Sequence, residues 1–351
     1  MQFRSPNIAW RFPALGLIAT VFMIASGCGT TSTPSQGTTP PAGGSASVAS
    51  GVTLGYVWDQ KASGLRPMLG MPGASYLGSP IYNDGTYQSG IACSRSPHAI
   101  LTSKHGAIFL TSLPTGVPVQ LANKLSAKQV VVLGPSCSTA LVYAPDTSTM
   151  DLIQGLPSKP QVATISLSGN VTAAAVSDSG AVLAAVSRSN GTAVQFLPAG
   201  AASAASVVTV SRLGGLAFVA NAESALIADA GKNVVYLAEF DAGGASTRQI
   251  ASATDGIASP VGVGASADGR WAVIANQQGA VVRVDLTHQA PNITMQCRCT
   301  PTEVIPLNSK TIFRLTALGT GPMWVFDGDA PRARVAFIPG IPTTTVAGVA
   351  Q

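Results

Sequence analysis

Sulfur is the first chemistry the sequence offers. The run Met295-Gln296-Cys297-Arg298-Cys299 places three sulfur side chains at alternate positions, and alternate side chains of an extended strand leave from one face. Three soft ligands in a row suit Cu(I), so Met295, Cys297 and Cys299 form a candidate soft-metal site. No histidine lies in the segment; the nearest is His288. The competing chemistry is a disulfide. Apart from Cys28 the cysteines are Cys93, Cys137, Cys297 and Cys299, and an even number in an exported chain points to disulfides with three alternative pairings. Cys93 and Cys137 occupy turn-proximal places in adjacent repeats, so the preferred pairing is Cys93 with Cys137 and Cys297 with Cys299. The second pair requires a bend, for which Pro301 is well placed. Residues two apart on a straight strand have α-carbons about 6.6 Å apart, the upper edge of disulfide reach.

Other reactive types are sparse. His98 and His105 share one repeat and His288 is remote, so no His-x-Glu-x-x-His zinc pattern exists. No Gly-x-Ser-x-Gly nucleophile elbow occurs. Asp178 and Asp268 stand just before glycines and read as turn residues that hydrogen-bond their own backbone. Gly262-x-Gly264 lacks the third glycine of a dinucleotide fingerprint and reads as a close-packing strand. Asn170, Asn190 and Asn292 head Asn-x-Thr triplets without further context. No catalytic residue, metal or cofactor is assigned from these patterns.

Of 351 residues only 10% are charged and 46% are hydrophobic, with 37 Gly and 24 Pro. A typical soluble domain carries roughly 25% charge, so the surface expected here is polar but nearly neutral. Hydrophobicity is too high and net charge too low for a disordered chain. The formal charge is +5, and its basic residues are scattered. A clustered basic stripe is the footprint of nucleic-acid binding, and that partner class is excluded.

Arg4 and Arg11 precede an apolar stretch of 13 residues, 12–24. That is too short to span a bilayer as a stable helix, which takes about 20, and it suits the apolar part of an export signal. The sequence then reads Ile24-Ala25-Ser26-Gly27-Cys28. It resembles the lipobox of bacterial lipoproteins, in which small residues precede an invariant cysteine. The resemblance implies cleavage before Cys28, acylation of Cys28, and an anchor in a lipid bilayer. Residues 1–27 are then the signal peptide, and removal of Arg4 and Arg11 takes the charge from +5 to +3. Residues 28–51 are Gly, Ser, Thr, Pro and Ala with almost nothing large and apolar, hence a flexible tether spanning about 25 Å. The expected location is the bacterial cell envelope, lipid-anchored, on the periplasmic or outer-surface side.

Residues 52–351 carry a repeat. Hairpins of two short strands recur at 55–69, 107–121, 150–165, 193–208, 234–250, 281–296 and 323–338. Each alternates apolar and polar residues around a turn rich in Gly, Pro, Asp or Asn. A second strand pair, with small residues in its first strand, precedes six of them. Aligning those pairs superposes Ala99, Ala140, Ala181, Ala225, Arg270 and Thr311, at intervals of 41, 41, 44, 45 and 41 residues. Four strands every 40–45 residues is the blade period of a β-propeller. A lone four-stranded sheet leaves both faces wet, and stacking covers them. The fold class expected is all-β, a propeller of four-stranded blades. Seven is the economical blade count, with six or eight as alternatives, and residues 343–350 supply a strand that closes the first blade. The segment WAVIANQQGAVVRVDL (271–286) resembles the YVTN-type propeller repeat, and FVANAESALIA (218–228) shares its Val-Ala-Asn step.

The resemblance implies the fold and two functional classes. The leading one is a non-enzymatic binding or scaffold module whose partner is an envelope protein or a small molecule. The alternative is a lactonase-like or other propeller hydrolase working at the mouth of the central channel. Asn221, Asn276 and Glu303 are the nearest candidates for such a site. Carboxylates and amides converging on the axis would favour the hydrolase; a channel walled by Ala, Gly and Val would oppose it.

Overall fold

The computed structural model describes residues 52–122, 128–189, 191–241 and 244–341. The signal segment, Cys28, the tether and the expected closing strand at 343–350 lie outside the described residues. Within them no helix is long and apolar enough to cross a membrane.

The chain is a succession of antiparallel meanders. The first sheet has three strands, β1 (Thr53–Asp59), β2 (Gly64–Met71) and β3 (Ala74–Leu77). The second has four, β4 (Tyr87–Ala92), β5 (His98–Ser103), β6 (Ile108–Ser112) and β7 (Val119–Ala122). A seven-stranded sheet follows: β8 (Val130–Leu133), β9 (Thr139–Tyr143), β10 (Thr147–Gln154), β11 (Gln161–Val176), β12 (Val182–Arg188), β13 (Gly191–Leu197) and β14 (Ala205–Val210). Three four-stranded sheets complete the order. They are β15 (Leu213–Phe218), β16 (Ser224–Asp229), β17 (Val234–Asp241), β18 (Gly244–Ala251); then β19 (Pro260–Ala265), β20 (Trp271–Asn276), β21 (Ala280–Asp285), β22 (Ile293–Gln296); then β23 (Ile305–Pro306), β24 (Ile312–Arg314), β25 (Met323–Asp327), β26 (Arg334–Ile338).

The seven-stranded sheet is two four-stranded units sharing β11. The first part of β11 pairs with β10, from Gln161↔Gln154 to Ser166↔Thr149. The last part pairs with β12, from Val171↔Val186 to Val176↔Val182. Between the two parts lies Gly169 at φ +123, where a Cβ would come within 2.6 Å of Val186 Cγ1. A glycine there lets one strand serve as the outer strand of one unit and the inner strand of the next.

The six aligned residues fall within one residue of the start of the second strand of each unit: β5, β9, β12, β16, β20 and β24. Six of the seven hairpins are third-to-fourth strand pairs. The hairpin at 55–69 differs. It is β1–β2, with β3 outside it, so it occupies the first and second places among the three described strands of its sheet rather than the outer pair. Arg334 of β26 donates to Pro72 O at 3.0 Å, which sets the outer turn of the first sheet beside the outer strand of the last.

The core sits between sheets. Each apolar cluster combines residues of two successive units: Leu65 with Leu101, Ile100 with Val142, Leu141 with Val182, Leu183 with Ile227, Leu226 with Ile274, and Val273 with Phe313. One further cluster joins the last sheet to the first, through Ile312 and Val325 with Leu54 and Met68. Second strands are therefore buried on both faces, and every residue of β5, β9 and β16 is buried. Near-continuous apolar runs replace alternation there, as expected for strands covered on both sides.

Candidate binding channel

The first strands of six units converge on one cavity of about 340 Å³. β4, β8, the last part of β11, β15, β19 and β23 each contribute, and the walls are mostly Ala, Val, Leu, Ile, Gly and Pro with Phe218 and Phe313, joined by Ser94, Ser266 and Cys137. Small residues permit the approach. At Gly262 a Cβ would stand 2.8 Å from Val304 N, and at Gly215 it would stand 3.0 Å from Val263 N. Any larger residue at either position would push neighbouring first strands apart.

Arg95 is the one charged side chain lining this cavity. Its Nη1 donates to Ser309 O at 2.9 Å; burial lowers its pKa, against the opposing charges of Asp268 and Asp329. The turn that carries it is tightly organised. Cys93 Sγ accepts the backbone N–H groups of Arg95 at 3.0 Å and Ser96 at 3.1 Å. Ser96 Oγ lies 2.5 Å from His98 Nδ1. His98 is buried, and that burial lowers its pKa, favouring the neutral ring. His105 and His288 are exposed elsewhere.

Cys93 and Cys137 are disulfide-bonded, with α-carbons 5.8 Å apart, and so tie the second unit to the third beside the channel. Cys297 and Cys299 are also bonded, with α-carbons 5.2 Å apart. β22 ends at Gln296, so the chain has left the strand before Cys297 and the 6.6 Å spacing of a straight strand does not apply. Met295 packs against the cluster of Val281 and Phe313. The three sulfurs are thus not lined up on one strand: two are joined in a disulfide and Met295 is partly buried against an apolar cluster. Among the described residues no group of His, Cys, Asp or Glu is arranged to hold a metal ion.

The three hydrolase candidates do not come together. Asn221 is an exposed turn residue at φ +56 between β15 and β16. Asn276 ends β20, at the opposite end of its sheet from the β19–β20 turn. It is fully buried; its Oδ1 accepts Ala258 N–H at 3.0 Å and its Nδ2 donates to Gly256 O at 2.8 Å. Glu303 Oε1 is held by Arg314 Nε at 2.8 Å. Asn276 is committed to local structure and Glu303 is paired with Arg314 at the edge of a second cavity.

The second cavity, about 220 Å³, lies where β1 faces β4 and β23 and is lined by Gly55, Tyr56, Gly90 and Ile305 together with the Glu303–Arg314 pair. β1 pairs only with β2 among the described strands. Sequence reasoning missed a set of buried aspartates at strand ends. Asp59, Asp229, Asp285 and Asp327 are all at most 4% exposed, and the signal was an Asp closing an apolar strand.

Four-stranded meanders around a shared channel define a β-propeller, and solved structures agree. The chain is similar to a functionally unknown protein from Desulfotomaculum acetoxidans DSM 771, with TM-score 0.56, 13% identity, and 83% of this chain and 100% of that one covered. It is also similar to virginiamycin B lyase from Staphylococcus aureus, with TM-score 0.52, 10% identity, and coverage of 75% and 87%. A streptogramin B lyase structure follows at TM-score 0.51, 11% identity, and coverage of 72% and 86%. At these identities the likeness is one of fold. No protein-family profile matches the sequence, and no curated protein matches it.

Proposed function

We propose that this protein is a non-enzymatic binding module whose central channel takes a compact apolar ligand. The observation that carries the reading is the channel itself: six inner strands supply apolar walls around about 340 Å³, with a single guanidinium among the lining side chains. Small-molecule sites are typically concave, mostly apolar and furnished with few polar groups. The same walls argue against hydrolysis there, because none of Asn221, Asn276 and Glu303 lines the channel.

The channel belongs to a seven-bladed propeller in this reading. Its support is the circle of inter-sheet clusters, with the last sheet packed on the first, and the unpaired edge of β1 beside a cavity. Residues 343–350 would add the inner strand of the first blade there. The lipobox at Cys28 supports a lipid anchor that holds the propeller in the bacterial envelope, on the periplasmic or outer-surface side, where a second envelope protein could dock on its rim.

The test is a titration with the apolar fluorophore N-phenyl-1-naphthylamine. The wild type should give a saturable, one-site rise in emission. Ala217→Phe, which fills the channel wall, should abolish it while the protein stays folded by circular dichroism. Equal binding by both proteins would refute the channel as the site.

A further inference from the structure

The strongest unassigned chemistry outside the channel is on the sheet β19–β22. Trp271 pairs with Asp285 and Val273 with Arg283, so Trp271 and Arg283 leave the same face of adjacent strands as diagonal neighbours. The Arg283 guanidinium carbon lies 4.1 Å from the indole centroid, and that of Arg270 lies 4.6 Å from it. Two cations thus share one aromatic ring, which attracts each of them but does not remove their mutual repulsion.

The counter-charge is incomplete. Arg270 Nη2 donates to Asp285 Oδ2 at 3.1 Å. Asp285 Oδ1 is already taken by the Thr287 N–H at 2.8 Å and hydroxyl at 2.6 Å. Arg283 joins no ion pair among the described residues. Its Nε is buried without an acceptor, and so is the Nε of Arg270. The N–H groups of a guanidinium form a planar fork that matches a carboxylate or phosphate.

The backbone beneath is fixed. Arg270 N–H donates to Asp268 Oδ1 at 3.0 Å, Trp271 N–H to Ser266 Oγ at 2.9 Å, and Leu286 N–H to Arg270 O at 2.8 Å. The Arg270 side chain remains 41% exposed and Arg283 is half-buried, so an incoming anion reaches Arg270 first from solvent.

We infer that Arg270 and Arg283, stacked on Trp271, form a binding site for an oxyanion, the carboxylate or phosphate group of a ligand or partner. The anion bridges the two guanidinium groups and relieves their repulsion, and Asp285 sets Arg270 in place.

Inorganic phosphate and acetate are the probes, each titrated into the purified protein while indole fluorescence is followed, with sodium chloride of equal ionic strength as the reference. The expected result is a saturable change with at least one of the two, weakened about tenfold or more in Arg283→Gln and unchanged in Arg188→Gln. Phosphate alone would assign a phosphate group; acetate as well would assign a carboxylate-tolerant site. Arg283→Lys keeps the charge without the fork, should also weaken binding, and carries the test if Arg283→Gln does not fold. A response no different from chloride, or one that survives both Arg283 variants, would overturn the site.

Discussion

Aspartates at strand ends are the polar pins of this fold. Asp59 Oδ1 accepts the N–H groups of Lys61 and Ala62 at 2.9 and 3.1 Å while Arg66 Nε reaches its Oδ2 at 2.6 Å. Asp229 does the same for Gly231 and Lys232 at 2.9 and 3.1 Å. Buried carboxylates need such donors to offset desolvation. At Asp285 burial alone would raise the pKa. The Thr287 hydroxyl and N–H and the Arg270 guanidinium outweigh it and bring the carboxyl down to about 2 from 3.8. A depressed folded-state pKa stabilises the protein above the unfolded value and loses that stabilisation as pH falls through the folded value. Between pH 4 and pH 2 the wild type should therefore lose on the order of 2 kcal/mol from this group alone. Asp285→Asn should be less stable at pH 7 and flatter over that window in urea titrations; an unchanged pH slope would contradict the assignment. The sequence marked Asp268 correctly as a turn residue, since its Oδ1 takes the Arg270 N–H. Asp178 differs: its Oδ1 accepts the Ser136 N–H at 2.8 Å, 42 residues away, and so links adjacent units. A turn pattern reveals an acceptor but not the distant donor that finds it.

Strand period was readable because second strands recur with small or turn residues at their starts, as at Ala140 and Ala225. The first hairpin is not the outer strand pair the repeat suggested, because an isolated strand pair carries no mark of its radial position; β3 lies outside it, with the turn at Pro72 beside β26. The sharing of β11 by two units was also hidden, since Gly169 reads like any loop glycine until its φ of +123 is known. Cys93–Cys137 is the covalent tie between two blades, closing a separation of 44 residues. Replacing both by Ser should lower the unfolding free energy by about 2–4 kcal/mol, measured by urea denaturation. No loss would mean that packing between β5 and β9 alone holds the two units together. Cys297–Cys299 spans two residues and constrains only its own turn, so its removal should cost much less.

At the scale of the whole molecule, stacking sheets into a ring is what buries both faces of strands such as β9 and β16, and it leaves a channel where the inner strands meet. Repeat spacing and small inner residues made the ring legible from sequence. The channel's chemistry was not, because which side chains reach the axis depends on the register of six separate strands. In the proposed seven-bladed reading, residues 343–350 supply the closing strand. A chain ending at residue 341 should therefore unfold at lower temperature than the full chain in a thermal melt. Equal melting temperatures would remove the tail from the ring.

The most direct test of the channel as a ligand site is a native mass spectrum of the protein purified from an oxidising periplasm. Two disulfides are expected, with a one-to-one adduct of a small apolar molecule that is absent from Ala217→Phe. A bare polypeptide mass that persists after N-phenyl-1-naphthylamine is added, or an adduct of equal occupancy in the filled variant, would contradict it.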